Sequence, residues 1–251
     1  KPGCGESPGD WTAQSFADRA HESLAAVAVL REHQGVSGQP VGLVGFSQGS
    51  WVSLLAATLD ASRVDFIVSV SGPGVGPAEQ ERDRIERELR SRGIAGAELT
   101  EALAWLDERA RRLSAGDDVG SVLADQERLS DRTWYEGATQ YFDSAPALGF
   151  LARNLDFDPV PVLQQTSCPV LALHGGNDTL VPVADSVIAY AKHLPALSGS
   201  RHGIAVFPGA DHGLFTADPD PEVPRTDQLA PGVLAMVAGF LADAPRSGEL
   251  T

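Results

Sequence analysis

The sequence predicts an α/β architecture: a parallel sheet of about four strands, flanked by helices and interrupted by a helical insertion. Three observations carry this reading. Short apolar runs with little polar alternation, at 40–46, 64–70, 169–173 and 204–207, have the pattern of strands covered on both faces. Helical periodicity fills stretches between those runs, the alternation that builds parallel sheets. Between residues 77 and 165 the strand-like runs stop, and 18 acidic and 11 basic residues accompany helical repeats instead.

Taken in order, residues 1–11 carry too many Gly and Pro for a helix or strand and read as a loop. From 12 to 34, Phe16, Ala20, Leu24, Val27 and Leu30 recur at helical spacing, and Gly35 supplies a stop. The run 40–46 passes straight into Ser-Gln-Gly-Ser and a helix over 51–59. The second run, 64–70, ends in Ser71-Gly72-Pro73. Inside the insertion, helices are expected at 79–92 and 99–113. Strand 169–173, a helix near 184–194, strand 204–207 and a last helix over 231–242 complete the chain. The division is therefore 1–76 and 166–251 as two parts of a core, with 77–165 as a cap over a site. Trp105, Trp134, Tyr135, Tyr141 and Phe142 of that block are candidate substrate contacts.

Composition excludes several classes. The 251 residues hold 34 acidic and 19 basic side chains, a formal charge of −15. Phosphate contacts need clustered Lys and Arg, so a nucleic-acid partner is not expected; nor is an anionic membrane surface. No run approaches the ~18 consecutive apolar residues of a membrane span. Cys4 and Cys168 stand in no metal or redox spacing, so neither a disulfide framework nor a zinc site is suggested.

Gly45-Phe46-Ser47-Gln48-Gly49 carries the chemistry. Gly-x-Ser-x-Gly is weak alone, but here it stands where a buried strand enters a helix, the setting of a nucleophile elbow. A sharp turn there strains the serine backbone, and side chains at either glycine are expected to collide with neighbouring backbone. Ser47 is then presented at the tip, and the Gln48 backbone N–H at the helix start points toward a developing oxyanion.

A serine hydroxyl needs a base. Of six histidines, His21 and His33 lie on or near the first helix, His193 late in another, His202 before a strand and His174 at a strand end. His212 stands in the loop after the final strand, at the sheet edge where open α/β folds place functional groups. Asp178 follows strand 169–173 across a Gly-rich loop and is the expected partner of His212; Asp211 and Asp185 are the alternatives.

Three signatures, Gly45-Phe46-Ser47-Gln48-Gly49, His174-Gly175-Gly176-Asn177-Asp178 and Gly209-Ala210-Asp211-His212-Gly213, follow one another in this order. With them the sequence resembles the α/β-hydrolase superfamily, in its bacterial esterase and acyl-peptidase-like branch. The opening Lys-Pro-Gly-Cys-Gly-Glu-Ser is similar to the family's Asp-x-Arg-Gly-x-Gly-x-Ser loop. The resemblance implies an α/β-hydrolase type sheet and a Ser47–Asp178–His212 triad. It implies a small-molecule ester or amide substrate, cleaved through an acyl-enzyme without metal or organic cofactor. Carboxylic-ester hydrolysis is the leading expectation. The same triad could serve an aminopeptidase or acyl-peptidase, with Glu136 or Asp143 holding a substrate amine, and a non-catalytic binding protein could keep the fold.

One departure concerns the start. Residue 1 is lysine, Met236 is the only methionine, and no leader pattern opens the chain. The family carries about four strands, and a His-Gly or similar segment completing the oxyanion hole, before the opening loop. His174-Gly175 comes after the nucleophile and is not that segment. The expectation is an N-terminally incomplete cytoplasmic hydrolase, with the strand of Ser47 at an unpaired edge and one oxyanion donor short.

Overall fold

In the computed structural model, which describes residues 2–36, 38–197, 201–216 and 218–243, four parallel strands form one sheet in the order β1-β2-β3-β4. They are β1 (Leu43–Phe46), β2 (Ile67–Val70), β3 (Val170–Gly175) and β4 (Gly203–Phe207). Ten α-helices accompany them among the described residues: α1 (Phe16–Glu32), α2 (Gln48–Leu59), α3 (Pro77–Ser91), α4 (Gly96–Ser114), α5 (Val119–Glu127), α6 (Tyr135–Thr139), α7 (Ala145–Asn154), α8 (Pro159–Gln165), α9 (Val183–His193) and α10 (Val233–Ala242). Residue 1 of the expected opening loop and residues 244–251 of the expected second core part lie outside the described residues.

The chain divides into two compact units. One, 16–75 with 158–251, contains the sheet. Its register pairs Gly45 with Ser69, Ser69 with Ala172 and His174 with Val206. β3 is buried along its whole length, which accounts for the absence of polar alternation in its sequence. Val68, Leu171, Leu173, Ala210, Leu214, Ala230 and Val233 form one core cluster. α1 and α2 meet through Phe16 and Trp51, ring centroids 5.3 Å apart. The indole N–H of Trp51 donates to the Pro73 carbonyl at 2.8 Å, so a buried donor is satisfied. Truncating a buried tryptophan of this kind costs about 3–5 kcal/mol. β1 is an edge strand among the described residues, and Val44 and Phe46 on it are exposed.

β1, β2 and β3 begin later than their apolar runs. Residues 40–42 stay outside β1: the Val41 N–H donates to the Asp65 side chain at 2.6 Å rather than to a ladder partner. The Phe66 ring also occupies the space that a Cβ on Gly42 would need.

The other unit, 1–15 with 76–157, is helical. Its core has two clusters. Ile85, Leu89, Leu99, Leu106, Trp134 and Ala138 belong to the first; Leu113, Val122, Leu148, Leu151 and Leu155 belong to the second. The charge of this block is largely paired on helix surfaces. On α3, Arg82–Glu86, Arg87–Asp83 and Arg90–Glu86 are i,i+4 pairs, each contributing about 0.3–0.5 kcal/mol when exposed. α5 is capped by the Asp118 carboxylate, which accepts from Ser121 N at 2.8 Å. The opening segment ends in a 3-10 turn, Trp11–Ala13, that docks on α7: Trp11 meets Phe150 edge-on at 5.0 Å, and Arg153 donates to the Thr12 carbonyl at 2.5 Å.

Candidate active site

The turn between β1 and α2 is held at both ends. Ser47 N–H donates to the Val70 carbonyl at 2.8 Å, extending the β1–β2 ladder by one residue, and Ser50 Oγ donates to the Gly45 carbonyl at 2.8 Å. Between these ties Ser47 adopts φ 53° and ψ −124°, a conformation that non-glycine residues rarely adopt. Gly45 is required by space. A Cβ there would lie 2.5 Å from the Gly49 carbonyl oxygen and 2.6 Å from Ser50 Cα. Gly49 corrects the sequence expectation: a Cβ at that position meets nothing within 4 Å among the described residues, so no backbone collision demands a glycine there. Gln48 opens α2, where the first N–H groups have no intrahelical acceptor. Its side-chain Oε1 accepts from Arg19 of α1 at 2.5 Å.

The loops after β3 and β4 are zipped together. Gly176 N donates to the Phe207 carbonyl and Asn177 N to the Ala210 carbonyl, both at 2.8 Å. The backbones approach so closely that a Cβ on Gly175 would land on the Asp211 carbonyl oxygen, and one on Gly176 would reach Pro208. This is the physical reason for the Gly-Gly pair.

Asp178 has a fully buried carboxylate. Its Oδ1 accepts from Leu180 N at 2.8 Å and Val181 N at 3.1 Å; its Oδ2 accepts from His212 Nδ1 at 2.8 Å. Those bonds fix the imidazole tautomer: Nδ1 carries the hydrogen, and Nε2 is left as the basic atom. The imidazole packs edge-on against Phe46, the residue before Ser47, with ring centroids 5.0 Å apart. The structure thus joins His212 to Asp178. Among the described residues the Ser47 hydroxyl makes no hydrogen bond to either.

The alternative acids stand elsewhere. Asp211 turns its Oδ1 onto Gly213 N at 2.9 Å and Phe215 N at 3.0 Å, organising its own loop, and its other oxygen pairs with Arg225. Asp185 is exposed in the first turn of α9. Of the remaining histidines, His21 and His33 are exposed, and His193 lies in the last turn of α9. His202 accepts from Val170 N at 3.2 Å and donates to the Pro195 carbonyl at 2.8 Å. His174 is wholly buried on β3, with its ring against Tyr190 and no hydrogen-bond partner for either nitrogen among the described residues. Burial pushes its imidazole down to about 4, against an opposite pull from the Asp178 carboxylate.

Sequence reasoning missed Ser71. At φ 49°, just past β2, this buried residue donates its hydroxyl to the His212 carbonyl at 2.7 Å. A serine following a strand is a common turn residue, and only the spatial neighbour gives it meaning. Cys168 is buried and pushed up to about 12 by that burial, an inert thiol. Among the described residues no group of three or more His, Cys, Asp or Glu side chains is placed to hold a metal ion, and no helix is long and apolar enough to cross a membrane.

The five aromatics of the helical unit are placed as follows. Trp134 is sealed in the first cluster, its indole N–H donating to Glu101 at 3.1 Å. Trp105 and Tyr135 pack on that cluster and Phe142 on the second. Tyr141 is exposed, with the Arg84 guanidinium 4.4 Å from its ring centroid. Glu136 and Asp143 are both exposed.

The order Ser47, Asp178, His212 on strand ends of one parallel sheet sits within a wider match: the sequence pattern of the alpha/beta hydrolase family covers residues 2–224. The chain belongs to the alpha/beta hydrolase family. Solved structures of similar fold include an esterase from Pyrococcus furiosus, at TM-score 0.53 and 16% identity, over 95% of this chain and 66% of that one. A peroxisomal alpha-beta-hydrolase from Saccharomyces cerevisiae matches at TM-score 0.52 and 11% identity, over 93% and 62%. A monoacylglycerol lipase from Paleococcus ferrophilus matches at TM-score 0.50 and 16% identity, over 97% and 81%. At such identities the likeness shows the fold. No curated protein matches the sequence. In this alpha/beta hydrolase Ser47 follows β1, Asp178 follows β3 and His212 follows β4.

Proposed function

We infer that this alpha/beta hydrolase is a serine hydrolase that cleaves carboxylic esters through an acyl-enzyme. The observation that carries the reading is the 2.8 Å bond from His212 Nδ1 to the buried Asp178 carboxylate, which leaves Nε2 basic beside the elbow. In the proposed reaction Ser47 Oγ attacks the acyl carbon while Nε2 takes its proton. The C–O bond to the alcohol then breaks, and the imidazolium returns the proton to the leaving alkoxide. Negative charge on the acyl oxygen is met by the Gln48 N–H. Water, deprotonated by the same nitrogen, attacks the acyl carbon; the bond to Ser47 Oγ breaks, the imidazolium returns the proton to Oγ, and the carboxylic acid leaves. The Ser47–His212 hydrogen bond closes when substrate is bound, as such contacts commonly do. The ester rather than amide assignment rests on the resemblance and on the absence of a buried anion among Glu136 and Asp143 to hold a substrate amine.

The test combines labelling and turnover. A fluorophosphonate probe is expected to modify Ser47 alone, and the chain to hydrolyse p-nitrophenyl esters faster than aminoacyl-nitroanilides, with Ser47→Ala abolishing both signals. Labelling at another serine overturns the nucleophile; faster anilide cleavage overturns the substrate class.

A further inference from the structure

A second site lies wholly within the helical unit. A cavity of about 190 Å³ opens where its two apolar clusters meet, walled by Leu106, Ala110, Leu151 and Leu155. Into the same cavity faces Arg109 of α4, a side chain only 2% exposed. An arginine so deeply buried normally carries a carboxylate partner. This one does not. Among the described residues its sole hydrogen-bond acceptor is Gln126 Oε1, at 3.0 Å.

The carboxylates around the cavity are committed elsewhere. Glu81 holds Arg84 through two bonds of 2.9 and 2.8 Å, and Asp107 holds Arg82 at 2.9 Å. Glu79 is exposed to solvent. The amide of Gln126 is itself oriented, since its Nε2 donates to the Phe142 carbonyl at 2.8 Å and so turns Oε1 toward Arg109. The Phe142 ring lies 5.6 Å from the guanidinium carbon, which fixes the arginine from another side. Arg109 is therefore held in place by one neutral acceptor and one aromatic face, with donors left over and no carboxylate bonded to it; the Glu81 charge, committed to Arg84, acts on it only through space.

We propose that this cavity binds a small monocarboxylate, with the carboxylate on Arg109 and an apolar body between Leu106, Ala110, Leu151 and Leu155. The chemistry selects that class. A planar guanidinium pairs best with a planar two-oxygen anion, and the carboxylates of Glu79, Glu81 and Asp107 on the same lining disfavour a second negative charge. Size agrees: a cavity of about 150 Å³ holds benzene, so this one takes a body of that order with a carboxylate attached. The site is separate from Ser47, Asp178 and His212, and it stands whether or not the hydrolase reading does.

The experiment titrates the intact chain with benzoate and with benzamide, which has the same shape and no charge, following the thermal midpoint and binding heat. Benzoate is expected to bind and raise the midpoint; benzamide is not. Arg109→Gln removes the cation, and Ala110→Leu fills the cavity while leaving Arg109 intact. Each is expected to weaken benzoate by about tenfold or more. Equal binding of the two ligands, no binding of benzoate, or unchanged affinity in a folded Ala110→Leu chain overturns the proposal. A crystal structure of the benzoate complex decides the matter whatever the variants do: benzoate on Arg109 supports the site, and benzoate elsewhere overturns it.

Discussion

The Ser71 hydroxyl donates to the His212 carbonyl oxygen at 2.7 Å, tying the end of β2 to the loop that carries the proposed base. Ser71 N–H in turn donates to the Leu173 carbonyl at 2.7 Å, so the donor side of this tie is anchored on β3. Ser71→Ala keeps the backbone and deletes only the hydroxyl. The expected result is a loss of about 1 kcal/mol in stability and a fall in kcat of about tenfold with KM little changed. A lower thermal midpoint with kcat unchanged in the folded chain would show that Ser71 merely braces the loop.

Asp178 holds the His212 imidazole, whereas Asp211, its neighbour in sequence, organises the loop around it. Asp178→Asn retains an oxygen for Leu180 N and Val181 N but removes the charge that accepts from His212 Nδ1. Ester turnover is expected to drop by about 10⁴ with the fold preserved, the effect seen when such a tautomer is lost. Asp211→Asn preserves the oxygen that caps Gly213 N and Phe215 N, so its expected loss stays within about tenfold. Steady-state kinetics on both variants check the pair; reversed magnitudes would exchange the two roles.

The two glycines of the elbow are expected to behave differently. Gly45→Ala drives a methyl into the Gly49 carbonyl and Ser50, and a well-packed site answers such crowding with about 1–3 kcal/mol. Gly49→Ala places its methyl in open space on a helix, where alanine is favoured over glycine by up to about 1 kcal/mol. Urea denaturation of both variants at neutral pH gives the comparison. Equal destabilisation would mean that the turn is tighter around Gly49 than its surroundings indicate.

His174 gives the fold a dependence on pH. Its imidazole is held near 4 by burial, while in the unfolded chain it titrates near the ordinary 6.5. Between those values the unfolded chain binds a proton that the folded one refuses. Stability therefore falls as pH drops from 6.5 toward 4, by about 3 kcal/mol from this residue. His174→Leu removes the proton site and is expected to flatten that part of the profile. Parallel profiles for variant and parent, measured by urea melts at pH 7 and 4.5, would remove His174 as the cause.

Much of this was legible in the residues. Ser47, Asp178 and His212 each follow an apolar run, and the runs gave the strands their order and direction, because a parallel sheet presents every strand end at one edge. The short helices α5 to α8 were not legible. At 5 to 10 residues each, they span too few turns to show a period, and Pro146 and Pro159 within the first turns of α7 and α8 read as breakers unless the helix start is already known. Ser71 and the choice between Asp178 and Asp211 depend on where a side chain turns, which spacing along a chain does not encode. The docking of Trp11 on Phe150 joins residues far apart in sequence and was equally hidden.

The Gly175-Gly176 contact with the backbone of Asp211 and Pro208 has a consequence for how a catalytic cycle would run. Because backbone hydrogen bonds stitch the two loops together, the Asp178 carboxylate and the His212 imidazole are aligned by the fold itself. Ser47, by contrast, has its backbone tied to β2 and a hydroxyl that turns about the Cα–Cβ torsion. An inhibitor that freezes that torsion alone could silence the whole assembly without disturbing either loop.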